Sequence, residues 1–127
     1  MRFFTDKHEQ NFKKLIEQDK TSSNDLDRIA LFYVIAGNKD LFNYADRVYN
    51  FTEHCIWFDN WFEGKIDLTS GSQSMLYLGY NLYNGFCYSM FDRKDLPKDK
   101  SIPDIFNSLD TVNKEICIEA IRIRAGL

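Results

Sequence analysis

Along most of this chain apolar residues return every three or four positions, the spacing that gathers them on one side of an α-helix. Thr5 reads as a helix cap with Asp6 and Glu9 in the turn behind it, where negative charge suits the helix dipole. His8, Phe12, Leu15, Ile16 and Asp19 then mark one face. "TSSND" interrupts the pattern, and Asn24 followed by Asp27 predicts a second helix with a capping-box-like start. From Ile29 to Ala36 that helix is apolar all round, which predicts burial on every side. Gly37 suits its C-cap, and Asn38 can open a third helix at once, with Leu41, Ala45, Val48 and Tyr49 at helical spacing.

The period fails between Asn50 and Gly71. "FTEHCIWFDNWFEGKIDL" is rich in aromatics but has no clean repeat, which predicts a packed irregular loop rather than a short hairpin turning at Glu63-Gly64. Helical spacing returns from about Ser72 to Met90. "FDRKDLPKDKSIPD" follows as an exposed connection holding both prolines of the chain. A short helical turn is expected around Pro103–Leu109. Asp110 then caps a last helix with Val112, Ile116, Ala120 and Ile123 as its stripe, and Arg122 and Arg124 near its carbonyl end. The expected fold is all-α: a single domain over residues 1–127 of about five helices, a bundle or orthogonal array, with one long aromatic-rich loop.

Composition supports that picture. The 127 residues are 44% hydrophobic and 16% aromatic, enough for a core and too much for intrinsic disorder. A net charge of −3 speaks against nucleic acid as a partner, since that role relies on clustered cations. The acidity is local: residues 21–70 carry eight acids against four bases, so a basic partner would be steered to the middle of the chain. Three widely spaced cysteines, Cys55, Cys87 and Cys117, make neither a disulfide framework nor a zinc motif. The polar opening "MRFFTDKHEQNF" lacks the apolar run of a signal peptide, and the expected location is cytoplasmic.

One segment stands apart. Leu68 to Phe91 contains no charged residue in 24 positions. Asn81 and Asn84 break it as a membrane span, so no membrane association is expected. On a helix over 72–90, Met75, Leu78, Leu82 and Phe86 share the core side, and Gly79 permits close backbone approach. Tyr77, Asn81, Asn84 and Tyr88 form a second, uncharged stripe, a candidate homodimer face.

Candidate chemistry is sparse, and no residue is nominated as catalytic. His8-Glu9 begins like a zinc-protease motif but lacks the second histidine. "EHC" sets Glu53, His54 and Cys55 together; His54 could activate the Cys55 thiol, making a small thiol- or metal-dependent enzyme an alternative. A mixed metal site from His8, His54 and Cys55 is equally weak, and no metal or other cofactor is expected. The Asp25/Asp27 carboxylates are better explained by the helix start than by acid–base work. "WFDNWFE" is the stronger feature. Trp57, Phe58, Trp61 and Phe62 around Asp59, with Glu63 beside them, could form a partner-binding hot spot or roof the core.

Four fragments, "KHEQNF", "ALFYVIAGNKDLF", "LGYNLYNG" and "SLDTVNKEICIEAIRIR", together resemble a family of small uncharacterised proteins of Firmicutes bacteria and their phages. The resemblance implies a compact cytoplasmic helical domain, carried in some cases on a mobile element, and transfers no activity. The expectation is a non-enzymatic domain that binds another protein, such as a phage host-interaction or counter-defence factor.

Overall fold

The second helical segment is the one that every other long helix packs against. Its sequence LFYVIA leaves no polar side to face water, so it must be surrounded. The computed structural model describes residues 1–127 and is all-α apart from one short hairpin. Helix α1 (Asp6–Asp19), α6 (Ser70–Asn84) and α8 (Thr111–Arg124) enclose α2 (Leu26–Gly37), and Ala30 to Ala36 are all buried. Short helices α3 (Lys39–Asn43), α4 (Ala45–Val48), α5 (Asp59–Phe62) and α7 (Ile102–Asn107) complete the set. A two-stranded hairpin, β1 (Tyr49–Asn50) with β2 (Cys55–Ile56), lies between α4 and α5. No helix is long and apolar enough to cross a membrane.

Capping chemistry sets most helix starts. Thr5, Asn38, Thr69, Ser101 and Asp110 each accept a backbone N–H from the first turn of the helix that follows. The second helix departs from expectation by one residue: Asp25, not Asn24, is its cap and accepts from the Arg28 N–H.

About five helices were expected and eight are found: the third segment splits, α5 forms inside the expected loop, and the turn expected around Pro103–Leu109 is the short helix α7. The third splits at Tyr44 into α3 and α4, and Tyr49 leaves the helix for the hairpin. The uncharged helix ends at Asn84 rather than Met90, because Gly85 takes the left-handed conformation (φ 79°) that L side chains resist. Phe86 and Tyr88 therefore reach the core from the segment beyond the helix, Tyr88 from a 3₁₀ turn at Tyr88–Met90. Residues 50–71 are not an irregular loop: they hold the hairpin turn, β2 and α5. The hairpin turns at Phe51–His54, not at Glu63-Gly64. Val112, expected on the buried stripe of the last helix, is exposed.

Two glycines matter for space. At Gly79 a Cβ would come within 3.1 Å of Leu31 Cδ1, so the close α2–α6 approach expected there is present. Gly37 is the last residue of α2 rather than its C-cap, a position Asn38 fills. A Cβ on Gly37 would lie 2.9 Å from Ile116 Cδ1 and 3.0 Å from His8 Nε2. Gly37→Ala should therefore cost about 1–3 kcal/mol, the usual range for overpacking, read as a lowered urea midpoint. An unchanged midpoint would mean that α8 and His8 can step aside.

Candidate functional site

The aromatic segment is built onto the hairpin. β2 runs into Trp57, whose N–H donates to the Val48 carbonyl at 2.9 Å, and α5 follows directly. Beneath it the Tyr80 hydroxyl donates to the same Val48 carbonyl and to that of Trp57, tying α6 to the segment. Burial pushes the Tyr80 phenol far above its ordinary range, so it stays a neutral donor.

The four rings do not share one role. Trp61 packs edge-on to Tyr80 (5.9 Å between centroids) and stacks near Phe86 at 6.2 Å. Phe58 and Phe62 flank Phe91 at 4.5 and 5.0 Å. These three are half-buried and roof the core. Trp57 alone is exposed, at 37%. Asp59 and Glu63 are also exposed, with Glu63 paired to Lys65 at 2.8 Å. Between residues 53 and 67 the sequence holds four exposed acids, Glu53, Asp59, Glu63 and Asp67, against one base, Lys65, and the Arg93 guanidinium lies over the Phe62 ring at 5.5 Å.

The uncharged stripe of α6 divides as well. Tyr77 and Tyr88 are buried against their own chain, their rings 4.9 Å apart, whereas Asn81 and Asn84 are exposed. Asn81 Nδ2 donates to the Phe86 carbonyl at 3.0 Å, holding the chain as it leaves the helix. Because Tyr88 lies beyond the helix end, the four residues are not one helical face.

A polar constellation that sequence spacing did not reveal joins α1, α2 and the hairpin. Asp19, 4% exposed, accepts from the Thr21 hydroxyl (2.6 Å), the Tyr49 hydroxyl (2.8 Å) and His54 Nδ1 (2.7 Å). Burial works to raise its pKa, but the donors from Thr21, His54 and Tyr49 outweigh it and hold the carboxyl below its ordinary value. Arg28 Nε donates to the Tyr49 hydroxyl at 3.0 Å, and the guanidinium also pairs with Asp25 at 2.7 Å and donates to the His54 carbonyl. His54 closes the hairpin with φ 57°, a left-handed position normally given to glycine or asparagine. The Arg28 bond to its carbonyl holds this backbone in place, and the ring's bond to Asp19 is the contact that uses a histidine there.

With its Nδ1 proton on Asp19, His54 leaves Nε2 without a partner in the chain, beside an open cleft of about 420 Å³ lined by Asp19, Lys20, Thr21, Ser22, Asp25, Arg28 and His54. No hydrogen bond joins His54 to Cys55, and Asp25 and Asp27 are committed to Arg28 and Arg124. All three cysteines are free thiols; burial pushes Cys117 up to about 12, which makes it inert. His8 is buried, accepting from the Phe4 N–H at Nδ1 and donating from Nε2 to the Tyr33 carbonyl at 3.1 Å; burial lowers its pKa and keeps it neutral. No group of three or more His, Cys, Asp or Glu side chains is placed to hold a metal ion.

These features belong to a small all-α domain whose distinctive parts are an aromatic roof and a buried carboxylate clasp. The chain is a member of a family of unknown function, DUF6075, whose model matches residues 1–126. No curated protein matches it, and neither does any solved structure.

Proposed function

We propose that this protein is a non-enzymatic domain that binds another protein through the segment Trp57–Glu63. The observation that carries the reading is the division of labour among the rings. Phe58, Trp61 and Phe62 fasten the segment to the core, and Trp57, 37% exposed and in no ring contact with them, keeps part of its indole free on that support. An indole held this way has little conformational freedom to lose on binding, which is what makes tryptophan effective at hot spots. The exposed acids Asp59 and Glu63 belong to the same segment, so the partner is expected to offer an indole-sized pocket with basic groups beside it.

Such a domain suits a cytoplasmic host-interaction or counter-defence factor of a phage or mobile element, the setting that the sequence resemblance implies. The homodimer reading draws less support, because Tyr77 and Tyr88 are occupied within their own chain. The thiol-enzyme reading draws less because His54 is engaged by Asp19 rather than Cys55.

Affinity capture from cells that naturally encode the protein tests the proposal. Trp57→Ala should lose the captured partner while melting with the wild type, and capture should weaken as salt is raised. Ile118→Ala, at an exposed position on α8, should capture as the wild type does. If Trp57→Ala captures the same partner equally well, the segment is not the contact surface.

A further inference from the structure

His54 carries a nitrogen that no group in the chain uses. Its Nδ1 donates to Asp19 at 2.7 Å, so in the neutral imidazole the lone pair sits on Nε2, on the far side of the ring. The side chain is 52% exposed and borders the cleft between the end of α1 and the hairpin turn, so Nε2 is within reach of a reagent. The second histidine makes the contrast. His8 is buried, and both of its nitrogens are engaged, by the Phe4 N–H and the Tyr33 carbonyl. His54 also holds a left-handed backbone (φ 57°), a strain that native structures keep mostly where a side chain has a task.

A free imidazole nitrogen can bind a metal, take a proton or attack an electrophile. No group of three or more His, Cys, Asp or Glu side chains is placed to hold a metal ion. No hydroxyl or thiol of the chain is hydrogen-bonded to the ring for it to deprotonate; its one side-chain partner is Asp19. The surroundings favour attack on phosphorus. Both carboxylates of the cleft are committed, Asp19 to Thr21, Tyr49 and His54, and Asp25 to Arg28. Lys20, on the same cleft, has no carboxylate partner. The Ser22 hydroxyl accepts from the Asn24 N–H and keeps its own proton to donate. An ammonium and a hydroxyl donor beside a nucleophilic nitrogen suit a phosphoryl group. Asp19 contributes twice: it fixes the tautomer, and its buried charge faces the positive charge that attack at Nε2 places on the ring.

We infer that His54 is a phosphoryl-acceptor site, taking the group on Nε2 from a phosphoramidate donor, the chemical class to which a phosphohistidine on another protein belongs. The Nε2 lone pair forms the new N–P bond as the donor's N–P bond breaks. The donor nitrogen, already protonated or part of a protonated ring, leaves with the bonding pair as a neutral amine or imidazole. The Nδ1 proton stays between the ring and Asp19. One N–P bond replaces another, so the transfer needs neither a redox partner nor a further energy source. The site does not depend on the Trp57 surface, and a small-molecule donor tests it without the captured partner.

The test treats the folded protein with potassium phosphoramidate and follows the product by intact mass and ³¹P NMR. A single phosphoryl group should be added, on Nε2 of His54, about tenfold faster than on N-acetylhistidine amide at the same pH. His54→Gln should abolish the addition, because His8 is shielded. Lys20→Ala, a surface change, should slow it severalfold. Asp19→Asn, shown by circular dichroism to be folded, should slow it by about tenfold. A His54 that reacts no faster than the free amide, or that carries the group on Nδ1, would overturn the assignment. So would a wild-type rate in either Lys20→Ala or folded Asp19→Asn, or addition that persists in His54→Gln.

Discussion

Asp19→Ala is expected to destabilise the protein by about 3 kcal/mol, the scale for removing one partner of a buried charged hydrogen-bond network. The deletion leaves the buried Tyr49 hydroxyl without its acceptor and frees the ring of His54, so the hairpin loses a principal contact with α1. Asp19→Asn should cost less, since it keeps the shape and one acceptor oxygen. The pH dependence gives a second readout. The Asp19 carboxyl is held below its ordinary value in the folded protein, so its contribution is fully present above the ordinary carboxylate range, about pH 4. That contribution is lost as pH falls through the lower, folded value. Urea denaturation at successively lower pH should therefore show the wild type losing its advantage over Asp19→Ala in that acid window. Parallel pH curves for the two proteins would show that the clasp contributes no charge-dependent stability.

Trp61→Ala should cost about 3 kcal/mol, within the usual span for truncating a packed large aromatic. The indole lies against Tyr80, Phe86, Tyr88 and Phe62, four rings drawn from α5, α6 and the segment beyond it, so its removal opens a cavity where three pieces of chain meet. Trp57→Ala, by contrast, removes a ring that is 37% exposed and packs against none of the roof's rings, and should cost about 1 kcal/mol. Urea midpoints of the two variants measure the difference. Equal losses would mean that Trp57 is as much a part of the roof as Trp61, and the contact surface proposed for it would lose its basis.

What the sequence made legible was what local chemistry controls. Thr5, Asn38 and Asp110 announced their helices because a side-chain oxygen at a cap competes for N–H groups only three residues away. The surrounded α2 could be read from its lack of a polar side. The errors came where a longer-range contact overrode a local period. Leu82 and Phe86 keep helical spacing across Gly85, yet the glycine turns left-handed and Phe86 enters the core from a different direction. Trp57, Phe58, Trp61 and Phe62 read alike as large rings, and only the positions of Phe86, Tyr88 and Phe91 separate the packed three from the exposed one. The clasp was harder still. Asp19, Arg28, Tyr49 and His54 lie on three elements, and nothing in their spacing predicts the meeting. Its one local trace was an acid closing the apolar face of α1. The burial of Asn11 on α1, with its Oδ1 unpaired, left no trace at all, since an asparagine beside a helix's apolar stripe is ordinary.

The most direct measurement uses the two tryptophans as their own reporters. With both labelled as 5-fluorotryptophan, the protein gives two ¹⁹F signals, assigned by the Trp57→Ala and Trp61→Ala variants. On titration with the captured partner, the Trp57 signal should move and saturate while Trp61, locked under the roof, stays nearly still. A Trp57 signal that does not respond, at partner concentrations that saturate complex formation, would contradict the account.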